Sequence, residues 1–95
     1  MKTTLAYIKN KALPILKEAG VTRSALFGSY VRGDNKEDSD IDILVDLPRG
    51  KSLFDLIDLQ MNLEKTLHKK IDVVTYNSLH PLLKDRILAE QVGIL

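Results

Sequence analysis

Asp40 and Asp42 stand two residues apart in the run Asp40-Ile41-Asp42-Ile43-Leu44-Val45. The β-branched content of that run reads as a strand. Side chains alternate along a strand, so both carboxylates share one face, with Cα atoms roughly 6.5–7 Å apart. That spacing lets them converge on a shared cation. Hard oxygen ligands favour Mg²⁺ or Mn²⁺, and paired-ion sites hold their ions about 3.5–4 Å apart. Asp72 is a third acid in an apolar strand, Ile71-Asp72-Val73-Val74-Thr75. Three such carboxylates repel each other and lose solvation, and a divalent cation offsets both costs. A solvated acidic strand end explains Glu37 and Asp38 but not Asp42, which lies within the strand body. An EF-hand loop counted from Asp38 fails twice, with Ile43 at the glycine position and Arg49 at the bidentate acid.

Upstream, Gly28-Ser29-Tyr30-Val31-Arg32-Gly33 spaces two glycines like a P-loop. A P-loop needs Lys and Ser/Thr next, whereas Asp34 and Asn35 follow here. What remains is a turn after a strand, with a hydroxyl and an arginine nearby. Backbone N–H groups in such turns bind anions. Taken alone, the segment reads first as a plain turn that uses Gly28 for its backbone freedom. His68 and His80 read as structural. Tyr7, Tyr30 and Tyr76 read as core or surface residues, with Tyr30 also placed to line a base or ribose pocket. Lys84 and Arg86 read as solvated.

The elements that must position these groups follow from periodicity. Leu5, Ile8, Ala12, Ile15 and Leu16 predict a helix over roughly 4–19, capped by Thr3 or Thr4 and kinked by Pro14. Ser24–Phe27 reads as a buried strand, Ser29–Gly33 as a helical turn, and 34–39 as a loop. After the Asp40 strand, Ser52-Leu53-Phe54-Asp55 fits a capping box. Leu53, Leu56, Ile57, Leu63 and Leu67 predict an amphipathic helix ending near His68, Lys69 and Lys70. The Asp72 strand follows, and Pro81 starts a last helix to about Gln91. Residues 92–95 read as a short edge strand or a frayed end. The order α-β-(short α)-β-α-β-α predicts an α/β domain of the α+β type, with helices packed on a small sheet.

The 95 residues fit one small domain spanning 1–95. Charge is nearly balanced at +1 overall, so nothing argues for nucleic acid on charge alone, and no direct nucleic-acid binding is expected. The balance is uneven locally: 34–46 holds six acids and one base, Lys36. With no cysteine, neither a disulfide nor a Cys-based zinc site can form, and the cytoplasm is the simplest compartment. No stretch is apolar enough to span a membrane, and Met1-Lys2-Thr3-Thr4 lacks the apolar core of a signal peptide.

Gly28-Ser29, ten residues, then Asp40-Ile41-Asp42 forms the pattern G-S-x10-D-x-D. It resembles the nucleotidyltransferase superfamily related to DNA polymerase β. The longer string LFGSYVRGDNKEDSDIDILV is similar to its minimal nucleotidyltransferase branch. The resemblance covers nearly the whole chain and implies a small mixed sheet flanked by helices. Within it, Gly28 and Ser29 match the turn that holds nucleotide phosphates, and Arg32 matches a basic residue of that turn. Asp40 and Asp42 match the metal-binding pair. Asp72 matches a third carboxylate that helps hold metal and can act as base toward the attacking hydroxyl. Val31 stands where many members carry alanine.

The resemblance implies an Mg²⁺-dependent enzyme, with two ions expected, that uses ATP. It further implies an antitoxin paired with a HEPN ribonuclease toxin, transferring AMP to a toxin tyrosine. Larger members add an acceptor-holding domain. A chain of this length must take its acceptor surface from a partner or from a second copy, so a homo- or hetero-oligomer is one arrangement. Two other readings stand beside it: a non-catalytic antitoxin that inhibits by binding, and nucleotidyl transfer to a small molecule or an RNA end.

Overall fold

The computed structural model describes residues 4–95. Four strands form one mixed sheet in the order β3-β2-β1-β4. They are β1 (Arg23–Phe27), β2 (Ile41–Asp46), β3 (Ile71–Thr75) and β4 (Val92–Gly93). β1 runs antiparallel to both β2 and β4, whereas β2 and β3 are parallel. The parallel pair needs a crossover, and α3 (Leu53–Leu67) supplies it. The expected order of elements is present, and of the four C-terminal residues Val92 and Gly93 form β4.

The helix before the sheet is α1, Leu5–Glu18, capped by the Thr4 hydroxyl, which accepts from the Tyr7 N–H at 3.1 Å. The alternative cap, Thr3, lies outside the described residues. Pro14 is accommodated inside α1. It removes the bond to the Asn10 carbonyl, and both residues are exposed, so water can serve that carbonyl.

α1 and α3 pack on one face of the sheet. Ile8, Ala12 and Leu16 of α1, with Leu59, Leu63 and Leu67 of α3, form one core with Leu26, Ile41, Ile43 and Val45. Ser24 is the one buried polar residue among those described, and its hydroxyl donates to the Leu44 carbonyl at 2.7 Å. The capping box at the start of α3 forms as expected, with the Asp55 carboxylate accepting from the Ser52 N–H at 2.7 Å. That bond holds the Asp55 carboxyl below its ordinary range.

The apolar positions of α3 split in a way the spacing did not reveal. Leu53 and Ile57 are 69% and 46% exposed, while Leu59 is buried. At about 100° per residue, Leu56, Leu59, Leu63 and Leu67 fall on one arc, and Leu53, Phe54, Ile57 and Met61 fall on the next. Only the first arc meets the sheet.

His68 ends α3 in the left-handed region, φ 54°, with its N–H donating to the Glu64 carbonyl. After β3, Tyr76–Ser78 forms a short 3-10 turn. His80 caps α4 (Pro81–Glu90), its Nδ1 accepting from the Leu82 N–H at 3.1 Å. The His80 imidazole is therefore structural, whereas His68 serves the helix end through its backbone. Among the described residues, no helix is long and apolar enough to cross a membrane.

Candidate active site

Alternation along β2 sends Ile41, Ile43 and Val45 into the helix-covered core, so Asp42 faces the opposite side. Asp40 shares that side and lies just before the strand begins. The register then places neighbours around Asp42. Phe27 is its partner on antiparallel β1, and Asp72 is its partner on parallel β3. The two acidic strands thus set Asp42 and Asp72 side by side on one face, as their spacing within separate strands could not reveal.

Gly28 follows Phe27 and opens the single-turn helix α2 (Ser29–Arg32). Its φ is 82°, a region that disfavours any side chain. Space forbids one as well. A Cβ at Gly28 would collide with the Asp42 carboxylate, with the carboxyl carbon only 3.0 Å away. Gly28 therefore does two things: it turns the chain, and it gives the Asp42 carboxylate its room. The turn is closed by the N–H groups of Val31 and Arg32, both donating to the Gly28 carbonyl at 3.1 Å. Gly33 caps it in the left-handed conformation, φ 79°. Tyr30 is not a pocket residue; it is 7% exposed and packs into the core, anchoring the turn to the sheet.

Gly28, Ser29, Arg32, Asp40 and Asp42 line one open cleft of ≈ 470 Å³. Asp72 borders Asp42 but is exposed and lies outside that lining. Burial, then the charges of Asp72 and Asp40, push the Asp42 carboxyl from its ordinary 3.8 up to about 6, with Arg32 acting in the opposite direction. The site therefore concentrates negative charge that no described side chain neutralises by an ion pair. Among the described residues, no three His, Cys, Asp or Glu side chains are gathered closely enough to enclose an ion by themselves.

The loop 34–39, between the Gly28–Ser29 turn and β2, is largely exposed, but it is pinned. The Ser39 hydroxyl accepts from the Lys36 N–H at 2.7 Å, and Lys69 donates to the Glu37 carbonyl at 2.9 Å. The far wall of the cleft comes from α4, through Leu83, Arg86, Ile87 and Glu90. Arg86 is exposed, as its sequence context implies, yet it also borders the cleft, which that context does not indicate. Arg86 and Glu90 are one helical turn apart, a spacing that marks a shared helix side but does not say what that side meets. Arg32 is paired with Asp34 at 3.3 Å and reaches Glu90 at 3.7 Å. Asp34 first, then Glu90, raises its already high pKa.

A relative from Methanocaldococcus jannaschii is 59% identical over 93% of this chain and 95% of its own length; it carries the provisional name of a protein adenylyltransferase. Protein adenylyltransferase MntA of Thermococcus cleftensis is 45% identical, over 79% of this chain and 76% of its own. Among solved structures, one provisionally named a minimal nucleotidyltransferase superposes with a TM-score of 0.81 at 34% identity, covering 93% of this chain and 90% of that one. A toxin–antitoxin crystal structure with AMP-PNP superposes at 0.79 with 25% identity, covering 92% and 72%. The sequence profile of the nucleotidyltransferase domain matches residues 9–93, and with the Gly28–Ser29 turn packed against the Asp42 strand the conclusion follows that this chain belongs to the nucleotidyltransferase family.

Proposed function

We propose that this chain is a minimal protein adenylyltransferase, one domain over 1–95, that moves AMP from ATP to a tyrosine of a partner HEPN toxin in the cytoplasm and so acts as its antitoxin. The observation that carries the reading is the contact of the Asp42 carboxylate with the Gly28 backbone, which joins an acid pair to a phosphate-type turn in one cleft. The names of the relatives above, and the AMP-PNP in a structural neighbour, support ATP as substrate and a toxin as partner.

The donor set fits a hard divalent cation. Asp40, Asp42 and Asp72 offer carboxylate oxygens on one face, and their mutual repulsion at Asp42 is what a cation relieves. Mg²⁺ is commonly held by one or two carboxylates plus substrate phosphates, so Asp40 and Asp42 would suffice as its main protein ligands. When bound, two such ions stabilise the charge that develops on the attacking and leaving oxygens of an in-line displacement. The chain's own groups do the rest. Ser29 and the start of α2 hold phosphate oxygens, and Arg32 adds positive charge beside them. Asp72, exposed at the edge of the site, takes the proton of the incoming hydroxyl. The tyrosine oxygen then forms its bond to the α-phosphorus, the α–β bridging bond breaks, and pyrophosphate leaves.

The test is to incubate the purified protein with ATP, Mg²⁺ and its HEPN partner and to follow the partner's intact mass. We expect a gain of AMP on a tyrosine with wild type and at least a hundredfold slower gain with Asp42→Asn, as for loss of a residue that organises transition-state charge. Modification at the wild-type rate by Asp42→Asn would remove the reading.

A second reading is favoured by the exposed apolar side chains of α3 and α4. Phe54 is 77% and Leu82 86% exposed, which suits inhibition by binding alone. It requires that Asp40→Asn/Asp42→Asn still neutralise the partner without ATP.

A further inference from the structure

Two arginines reach the cleft from different parts of the chain, and one carboxylate engages both. Arg32 ends α2, while Arg86 and Glu90 lie one turn apart on α4. Arg86 Nε is 3.3 Å from one oxygen of Glu90, and Arg32 Nη1 is 3.7 Å from the other. All three line the cleft that contains Gly28, Ser29 and Asp42.

The members of this trio are held unequally. The Glu90 side chain is 29% exposed and that of Arg86 is 66% exposed. Glu90 closes α4 one residue before β4 begins, and the pairing of β4 with β1 fixes that end of the helix. Among the described residues, Arg86 is tied by one exposed ion pair to its own helix, which is a weak restraint. Arg86 can therefore change partners while Glu90 stays in place. A guanidinium binds phosphate oxygens through two parallel N–H bonds, and a polyphosphate offers more negative charge than one carboxylate.

We propose that Arg86 is a second phosphate-binding residue of the nucleotide site, and that Glu90 is the anion it exchanges for the nucleotide's polyphosphate. The inference rests on the nucleotidyl-transfer reading above. Without nucleotide, Glu90 keeps Arg32 and Arg86 from repelling each other across the cleft. With nucleotide, the phosphates take over that role, and Glu90 competes with them. The two residues therefore act in opposite directions on affinity. Loss of Arg86 weakens binding, whereas loss of the Glu90 charge strengthens it.

Titration calorimetry with a non-hydrolysable ATP analogue and Mg²⁺ separates the outcomes. Arg86→Ala is expected to bind roughly tenfold more weakly, as for loss of a charged hydrogen bond. The deficit shrinks when AMP replaces the triphosphate. Arg86→Lys recovers only part of the loss, because lysine lacks the fork. Glu90→Gln binds several-fold more tightly, and Lys84→Ala, on α4 but outside the cleft, binds as wild type. Circular dichroism melts confirm that each variant is folded. Wild-type affinity in Arg86→Ala, or weakened affinity in a folded Glu90→Gln, overturns this inference and leaves the parent reading standing. Failure of the wild type to bind the triphosphate overturns both.

Discussion

At the scale of single residues, the site turns on Gly28 and Asp42. A side chain at Gly28 faces both a left-handed backbone and the Asp42 carboxylate. Gly28→Ala should therefore destabilise the fold by about 2–4 kcal/mol, the sum of left-handed strain and overpacking. Urea unfolding measures it. The overlap is specific to the Asp42 side chain, so a cycle with Asp42→Ala should show a coupling of about 1–3 kcal/mol. Zero coupling would mean that strain alone explains the loss. Asp42 has its own pH signature. Its pKa in the folded protein, about 6, lies above the ordinary 3.8. Below 3.8 both folded and unfolded chains hold the proton and nothing is lost. Between 3.8 and about 6 the unfolded chain ionises first, so the folded state loses stability as pH rises, and the full penalty is present above about 6. Asp42→Asn removes the penalty. It should be more stable than wild type by about 1–2 kcal/mol at pH 7.5, after discounting for partial solvent screening, and equal to it near pH 4. Denaturation at the two pH values checks the sign.

At the scale of elements, what was legible in the sequence was local. Period-2 alternation revealed Asp40, just before β2, and Asp42, within it, on one side, and the Gly28–Ser29 turn followed from composition. Ser52 and Asp55 announced the start of α3 because a capping box is complete within four residues. The misses were long-range. Nothing near Asp42 in the chain says that Asp72 is its register partner; that follows from the crossover. Leu53 and Ile57 obey the helical period but sit on the arc that turns away from the sheet. Arg86 and Glu90 reach the cleft because α4 is fixed at its far end by β4, a pairing of Ala25 with Gly93 and Leu26 with Val92. Ser24 extends it by accepting from the Ile94 N–H at 2.9 Å. Removing 92–95 should then free α4 while leaving the core formed by α1, α3 and the first three strands. Hydrogen exchange should show faster exchange at Ile87 to Glu90 with Ile43 and Leu63 still protected. Unchanged exchange in α4 would show that its own packing, not β4, holds the cleft wall.

At the scale of the whole molecule, the site works against the fold. Three acids share one face, and the Asp42 carboxyl sits half-buried among like charges. A small domain has little stability to spare for such strain. The cost is reversible if the site is completed from outside, because anything that binds only the folded state stabilises it by mass action. A nucleotide with Mg²⁺ at a hundredfold above its dissociation constant contributes about 2.7 kcal/mol. In a domain of this size that raises the melting temperature by roughly 10 °C or more. Asp42→Asn cannot collect this gain, since it lacks the charge that the cation meets. The order of stabilities should therefore invert. Without ligand at pH 7.5 the variant melts above the wild type; with Mg²⁺ and a non-hydrolysable ATP analogue the wild type melts above the variant. EDTA should restore the first order. If both proteins rise equally with Mg²⁺ and nucleotide, Asp42 is not where the cation acts, and its raised pKa is only a structural cost.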